Sequence, residues 1–180
     1  MPESRSGQPT ALCRPTGAMQ TTISILVLAG MVVIIGSALA FEHIGGYAPC
    51  ALCLEQRTPY YLGMPFMAVG VVASLAGWSA CLIRGMLAIG LCCLIATAAL
   101  GIYHSGVEWG FFAAPESCGA GLSNTSSDAS TLLEGLSTSK PPSCADAAGR
   151  FLGLSFAGWN VIAAGILAAI AFKGTFNRAD

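Results

Sequence analysis

Residues 60–83 read YYLGMPFMAVGVVASLAGWSACLI, twenty-four positions without a charged side chain. About 20 mostly apolar residues let a helix cross the hydrocarbon core of a bilayer. Three further uncharged runs are comparable: 23–41 with 19 positions, 85–103 with 19 and 151–172 with 22. Each must be helical, because lipid offers no partner to open backbone groups. The whole chain agrees, with 54% hydrophobic and 9% charged residues among 180, where a soluble domain carries about a quarter charged. Such a composition excludes a disordered chain, and a formal net charge of −1 leaves no basic face for nucleic acid. The expected fold is an all-α membrane protein, a single domain over 1–180 built as a four-transmembrane-helix bundle. Its helices are expected at about 23–41, 60–80, 85–104 and 151–172, with a tail at 1–22 and outward loops at 42–59 and 105–150. Pro65 falls early in the second helix, where a kink is tolerated.

Orientation follows from the basic residues. Four crossings put both ends on one side, together with Arg5, Arg14, Arg84, Lys173 and Arg178; the other side holds Arg57, Lys140 and Arg150. This bias places both termini and the 79–84 turn in the cytoplasm. Tyr60, Tyr61, Tyr103, Trp109, Phe111 and Phe112 then gather at the outward ends, where interfacial aromatic anchors belong. Ala38-Leu39-Ala40 imitates a signal-peptide cleavage site, but the apolar run before it is longer than a signal core, so the segment reads as a retained helix. The stretch 119–143 is rich in Gly, Ser, Thr and Pro. Within it Thr131 to Leu136 has capping-box spacing and reads equally as a short surface helix or as loop. Asn124-Thr125-Ser126 fits a glycosylation pattern that is frequent by chance.

Eight cysteines are an unusual load for a membrane bundle. Cys13 and Cys81 fall on the cytoplasmic side and are expected to be free; Cys92 and Cys93 sit within the third helix and act as small apolar residues. Cys50, Cys53, Cys118 and Cys144 all fall outward, in the compartment that favours disulfides. Cys50-Ala51-Leu52-Cys53 is a C-x-x-C. Haem attachment is excluded, because Leu54 stands where a histidine is needed. A zinc site, a pair of structural disulfides and a redox-active pair remain. Metal sites usually show a second C-x-x-C or nearby histidines, and a bridge over two intervening residues stabilises little. The setting favours redox chemistry. Cys53 lies near a helix N-terminus, where the macrodipole supports a thiolate, and Arg57, four residues on, shares its face if the helix has already begun. An arginine at a membrane boundary is costly enough to suggest a role, against the alternative of simple snorkelling. Cys118 and Cys144 would bridge a long loop, as an exchangeable disulfide or as a static staple. His104 ends the third helix; Asn160 in the fourth reads as a bond to a neighbouring helix.

Pro49-Cys50-Ala51-Leu52-Cys53-Leu54-Glu55-Gln56-Arg57 resembles the disulfide bond formation protein B (DsbB) family. So do Tyr103-His104-Ser105-Gly106-Val107-Glu108 and Arg150-Phe151-Leu152-Gly153-Leu154, and the similarity runs over about 23–172. The C-x-x-C alone is weak; with Arg57, the second cysteine pair and the helix order it is specific. The resemblance implies a quinone-dependent protein-disulfide oxidoreductase in the bacterial inner membrane, with a quinone (ubiquinone or menaquinone) as cofactor. It implies a periplasmic DsbA-like thiol oxidase as partner, the lipid and quinone pool as surroundings, and a monomer. Cys50, Cys53, Cys118 and Cys144 would be catalytic, Arg57 and His104 would touch the quinone, and the resting pairs would be Cys50–Cys53 and Cys118–Cys144. The loop 105–150 departs from the family in its lack of bulky residues, which bears on the partner contact more than on the chemistry. Two rivals stand beside this reading: a structural membrane protein with two inert disulfides, and a quinone-linked enzyme like vitamin K epoxide reductase, whose active C-x-x-C lies late in the chain.

Overall fold

The computed structural model describes residues 17–115, 118, 143–147 and 149–176. Four long helices carry the fold: α1 (Ala18–His43), α2 (Ala51–Leu75), α3 (Ala80–Glu108) and α4 (Phe156–Phe176). All four are long and apolar enough to cross a membrane. Helix α1 runs unbroken through Ala38-Leu39-Ala40. Short links at 44–50 and 76–79 make α1, α2 and α3 antiparallel neighbours. Helix α3 packs extensively on α2 and α4, whereas α1 touches α2 and α4 less. The core lies between the helices, around Val27, Met31, Met67, Leu87 and Leu94, none of which is exposed. Their outer faces stay apolar and open (Val33 and Leu62 are exposed), as a lipid-facing surface requires.

The boundaries differ from expectation at the two places that matter for chemistry. Helix α2 begins at Ala51, not at Tyr60. The expected outward loop therefore shrinks, and Cys53, Gln56 and Arg57 become helical. Pro59 does not stop the helix: it falls within a segment that tertiary packing holds in place. Helix α4 begins at Phe156, not at 151. Arg150–Phe151 (β1) pairs antiparallel with Leu154–Ser155 (β2) across a two-residue turn. Leu152 (φ 53°) and Gly153 (φ 82°) both take positive φ, the backbone of the tight hairpin turn that matches strand twist. Ser155 Oγ then accepts from the Gly158 N–H at 3.2 Å, which caps the helix start.

Several placements are corrections. Tyr60 is no interfacial anchor; it is 2% exposed and donates its hydroxyl hydrogen to Asn160. Trp109, Phe111 and Phe112 are exposed at the end of α3 as expected, whereas Tyr61, though exposed, lies ten residues past the start of α2 and not at a helix end. Arg84 is not in a cytoplasmic turn. It lies inside α3, buried, and its Nη1 donates to the Thr175 carbonyl at 2.9 Å, so a cation meets the carbonyl end of α4. Cys81 is disulfide-bonded rather than free: its compartment suggested a thiol, but bonding depends on another sulfur in reach. Cys92 and Cys93 are free. The expectations for Cys13, 131–136 and Asn124 lie outside the described residues.

Candidate active site

Cys50 is the N-cap of α2. Its extended backbone precedes the first helical residue, and its Sγ accepts from the Cys53 N–H at 3.4 Å. The macrodipole that sequence reasoning gave to Cys53 thus acts first on Cys50. Cys53 lies one turn further, with its Sγ 3.2 Å from that of Cys50. Both are thiols here, close but not bonded, whereas Cys118 and Cys144 form a disulfide with a Cα–Cα distance of 5.7 Å. The two pairs share one buried cluster: Cys50, Leu52, Val107 and Cys144, with Cys53, Tyr103 and Cys118 packed against them. Two cysteine pairs widely separated in sequence therefore meet at one end of the bundle. Cys50 is held well below the ordinary thiol range, at about 4. The main cause is the hydrogen bond from Cys53, and His104 and the Cys53 backbone N–H add to it against the opposing effect of burial.

Cys53, Gln56, Arg57 and Tyr60 recur at helical spacing and line one cavity of about 330 Å³ between α1, α2 and α4. Its other walls are largely apolar, among them Ile34, Ala38 and Phe156, with Asn160 on the α4 side. Arg57 forms an ion pair with Glu42 of α1 at the cavity rim. Expected as a cation beside Cys53, Arg57 is also anchored by a carboxylate, and it lines the cavity together with Cys53.

His104 is not among the residues lining the cavity. It is 3% exposed, with Nε2 3.7 Å from Cys50 Sγ and Nδ1 2.6 Å from Gln56 Nε2. Glu108 Oε1 stands 3.8 Å from the same Nε2. Behind His104 runs a polar relay across three helices: Gln56 and Thr97, then Asn160, then Tyr60. Of these residues, sequence reasoning singled out Asn160 only as an interhelical bond and missed Gln56, Thr97 and Glu108. Their signal was present as polar side chains in or beside apolar spans, where such groups need partners. Cys50, Cys53 and His104 also bring three possible metal-ligating atoms within 4.8 Å of one another.

The chain matches the family model described as disulfide bond formation protein DsbB over residues 20–173, and it belongs to that family. It is accordingly a multi-pass membrane protein of disulfide bond formation and a disulfide oxidoreductase. Neither the curated proteins nor the solved structures gave a match.

Proposed function

We propose that this DsbB-family chain reoxidises a periplasmic DsbA-like dithiol oxidase and passes the two electrons to a membrane quinone. On this reading it lies in the bacterial inner membrane with both termini in the cytoplasm. The observation that carries the proposal is the double position of Cys53. Its sulfur stands 3.2 Å from Cys50, and its side chain lines the apolar cavity that Arg57 also lines.

The cavity suits a quinone ring. Its volume of about 330 Å³ lies in the range of small-molecule pockets, roughly 300–1,000 Å³. Apolar walls would cover the ring faces, and the Arg57 guanidinium on the cavity lining offers donors for its oxygens. A bound quinone supplies an acceptor for two electrons and two protons. Arg57, fixed by Glu42, would stabilise negative charge developing on a ring oxygen.

The thiol chemistry balances in two exchanges. A thiolate of the reduced partner attacks Cys118, the Cys118–Cys144 bond breaks, and Cys144 leaves as a thiolate. The partner's second thiolate then attacks its own sulfur in the mixed disulfide and releases Cys118. The partner departs oxidised, and the loop pair holds two electrons. Next, Cys144 attacks Cys50 in an oxidised Cys50–Cys53 pair and Cys53 leaves as a thiolate. Cys118 attacks Cys144, re-forms their disulfide and releases Cys50. The product has the bonding found among the described residues: Cys118 joined to Cys144, Cys50 and Cys53 as thiols. The low Cys50 value favours this reduced state at neutral pH, which makes the pair a stronger oxidant of other dithiols. When the electron pair leaves Cys53 on the cavity side, the Cys50 thiolate is the nucleophile that closes the disulfide.

The test is direct. Purified protein is given a reduced partner dithiol and a soluble quinone, and quinone reduction is followed. One quinone should be consumed per dithiol, whereas inert disulfides would give no turnover. Cys53→Ser should stop quinone reduction; full turnover in that variant would overturn the assignment. Cys118→Ser should block exchange with the partner while a small dithiol still reduces the Cys50–Cys53 pair.

A further inference from the structure

The hydrogen bonds between α2, α3 and α4 determine which ring nitrogen of His104 carries a proton. The Thr97 hydroxyl donates its only hydrogen to the Gln56 carbonyl at 2.8 Å, so toward Asn160 it can only accept. The Asn160 atom 3.3 Å from it is therefore the amide nitrogen. That nitrogen also donates to Gln56 Oε1 at 2.9 Å, while Asn160 Oδ1 accepts from the Tyr60 hydroxyl at 2.9 Å. With its oxygen so engaged, Gln56 presents its amino group to His104 Nδ1 at 2.6 Å. A ring nitrogen that accepts a hydrogen bond bears no proton, so the neutral imidazole carries its hydrogen on Nε2. Nε2 is the atom 3.7 Å from Cys50 Sγ.

We infer that Thr97, Asn160 and Gln56 are positioning residues that hold His104 as the Nε2–H tautomer, so that it serves Cys50 as a hydrogen-bond donor to the thiolate and not as a base. The inference rests on the reading of Cys50 as a redox cysteine. A base would receive the thiol proton on Nε2, and that position is already filled. The same tautomer withholds the Nε2 lone pair from a metal, while Gln56 occupies the other nitrogen. Metal-bound histidines instead donate their second N–H to an acceptor.

Among the described residues, the following groups stand around Cys50 and His104. Cys53 comes from α2, and Tyr103, His104 and Glu108 come from α3; the Cys118–Cys144 disulfide in the same cluster is uncharged. The Glu108 carboxyl, with Oε1 3.8 Å from Nε2, competes with the thiolate for the same N–H. The donor must therefore be held in place, and the relay does this from two neighbouring helices.

Two measurements on the full reduced chain in detergent test the inference, and neither needs a quinone or a partner. A failed turnover assay therefore leaves them intact, and their failure leaves the turnover reading intact. In the first, nitrogen-15 spectra of the histidine rings are recorded between about pH 6 and 8. His104 should show a protonated Nε2 and an unprotonated Nδ1; a protonated Nδ1 in the unmodified protein overturns the inference. In the second, iodoacetamide alkylation of Cys50 is followed against pH. Asn160→Leu frees the Gln56 amide to turn, and the alkylation midpoint should rise by about one unit or more, a tenfold loss of thiolate below the midpoint. An unchanged midpoint overturns the relay as its cause. If Asn160→Leu does not fold, the spectrum of the unmodified protein still decides.

Discussion

Helix α2 borders two unlike regions. Toward α1 and α4 it opens on an apolar cavity in which Cys53 and Arg57 are the chemically distinctive groups. Toward α3 it is tied by hydrogen bonds at Gln56, which is bonded to both His104 of α3 and Asn160 of α4 while its backbone carbonyl receives Thr97. The cavity side borders α1, the less extensively packed helix; the hydrogen-bonded side borders α3, which packs on both α2 and α4. The difference suggests a division of labour between the two sulfurs. Cys53 meets the space where an electron acceptor fits, and Cys50 meets fixed dipoles that hold its charge. One helical turn separates the roles, because three residues bring the two thiols together while the cap position gives only Cys50 the exposed N–H of the helix end.

The severest way to break the comparison is Cys53→Ser, which should remove all quinone reduction while Cys50 still reacts with iodoacetamide. Arg57→Gln comes next. It leaves the thiols intact and should lower quinone use by about 10²-fold, the scale for one electrostatic donor to developing charge; an unchanged quinone KM and rate would reduce Arg57 to a snorkelling residue. On the hydrogen-bonded side, pH sharpens the picture. Because the Cys50 thiol is held down at about 4, its alkylation rate should stay flat from alkaline pH down to about 5 and fall tenfold per unit below 4. The stabilising contribution of this thiolate to the reduced fold is fully present above the ordinary thiol range and lost as pH falls through 4. A rate that already declines below pH 8 would contradict that placement.

Smaller effects come from packing. A methyl group on Gly101 would approach Val161 Cγ2 to 2.7 Å and Gln56 Oε1 to 3.4 Å. Gly101→Ala should therefore cost about 1–3 kcal/mol in thermal or denaturant stability and disturb His104 more than the cavity. The smallest expected change is Trp159→Phe. It removes the bond from Trp159 Nε1 to the Phe151 carbonyl, worth about 1 kcal/mol, and should loosen the hairpin before α4 without altering Cys50.

The membrane-spanning character was legible in the sequence because it depends on composition alone. Few charges and four uncharged runs leave no alternative in lipid. The C-x-x-C, the second cysteine pair and Arg57 were legible because each residue type carries its chemistry wherever it is placed. What stayed hidden were relations between helices. The start of α2 at Ala51 was masked by Pro59 and by the charges of Glu55 and Arg57, which read as loop. The burial of Tyr60 and Arg84 was masked because aromatic and basic residues near span ends usually face the interface.

The sequence by itself determined the solvent this protein occupies and the sulfurs available to it, since both follow from which side chains are present. Only the tertiary structure decided that Glu42 anchors Arg57, that His104 meets Cys50 and not the cavity, and that Gln56, Thr97 and Asn160 meet behind it. The physical reason is rotational. A helix fixes which residues share its own face, but the angle at which it turns that face toward its neighbours is set by packing along its whole length, and no local pattern encodes it.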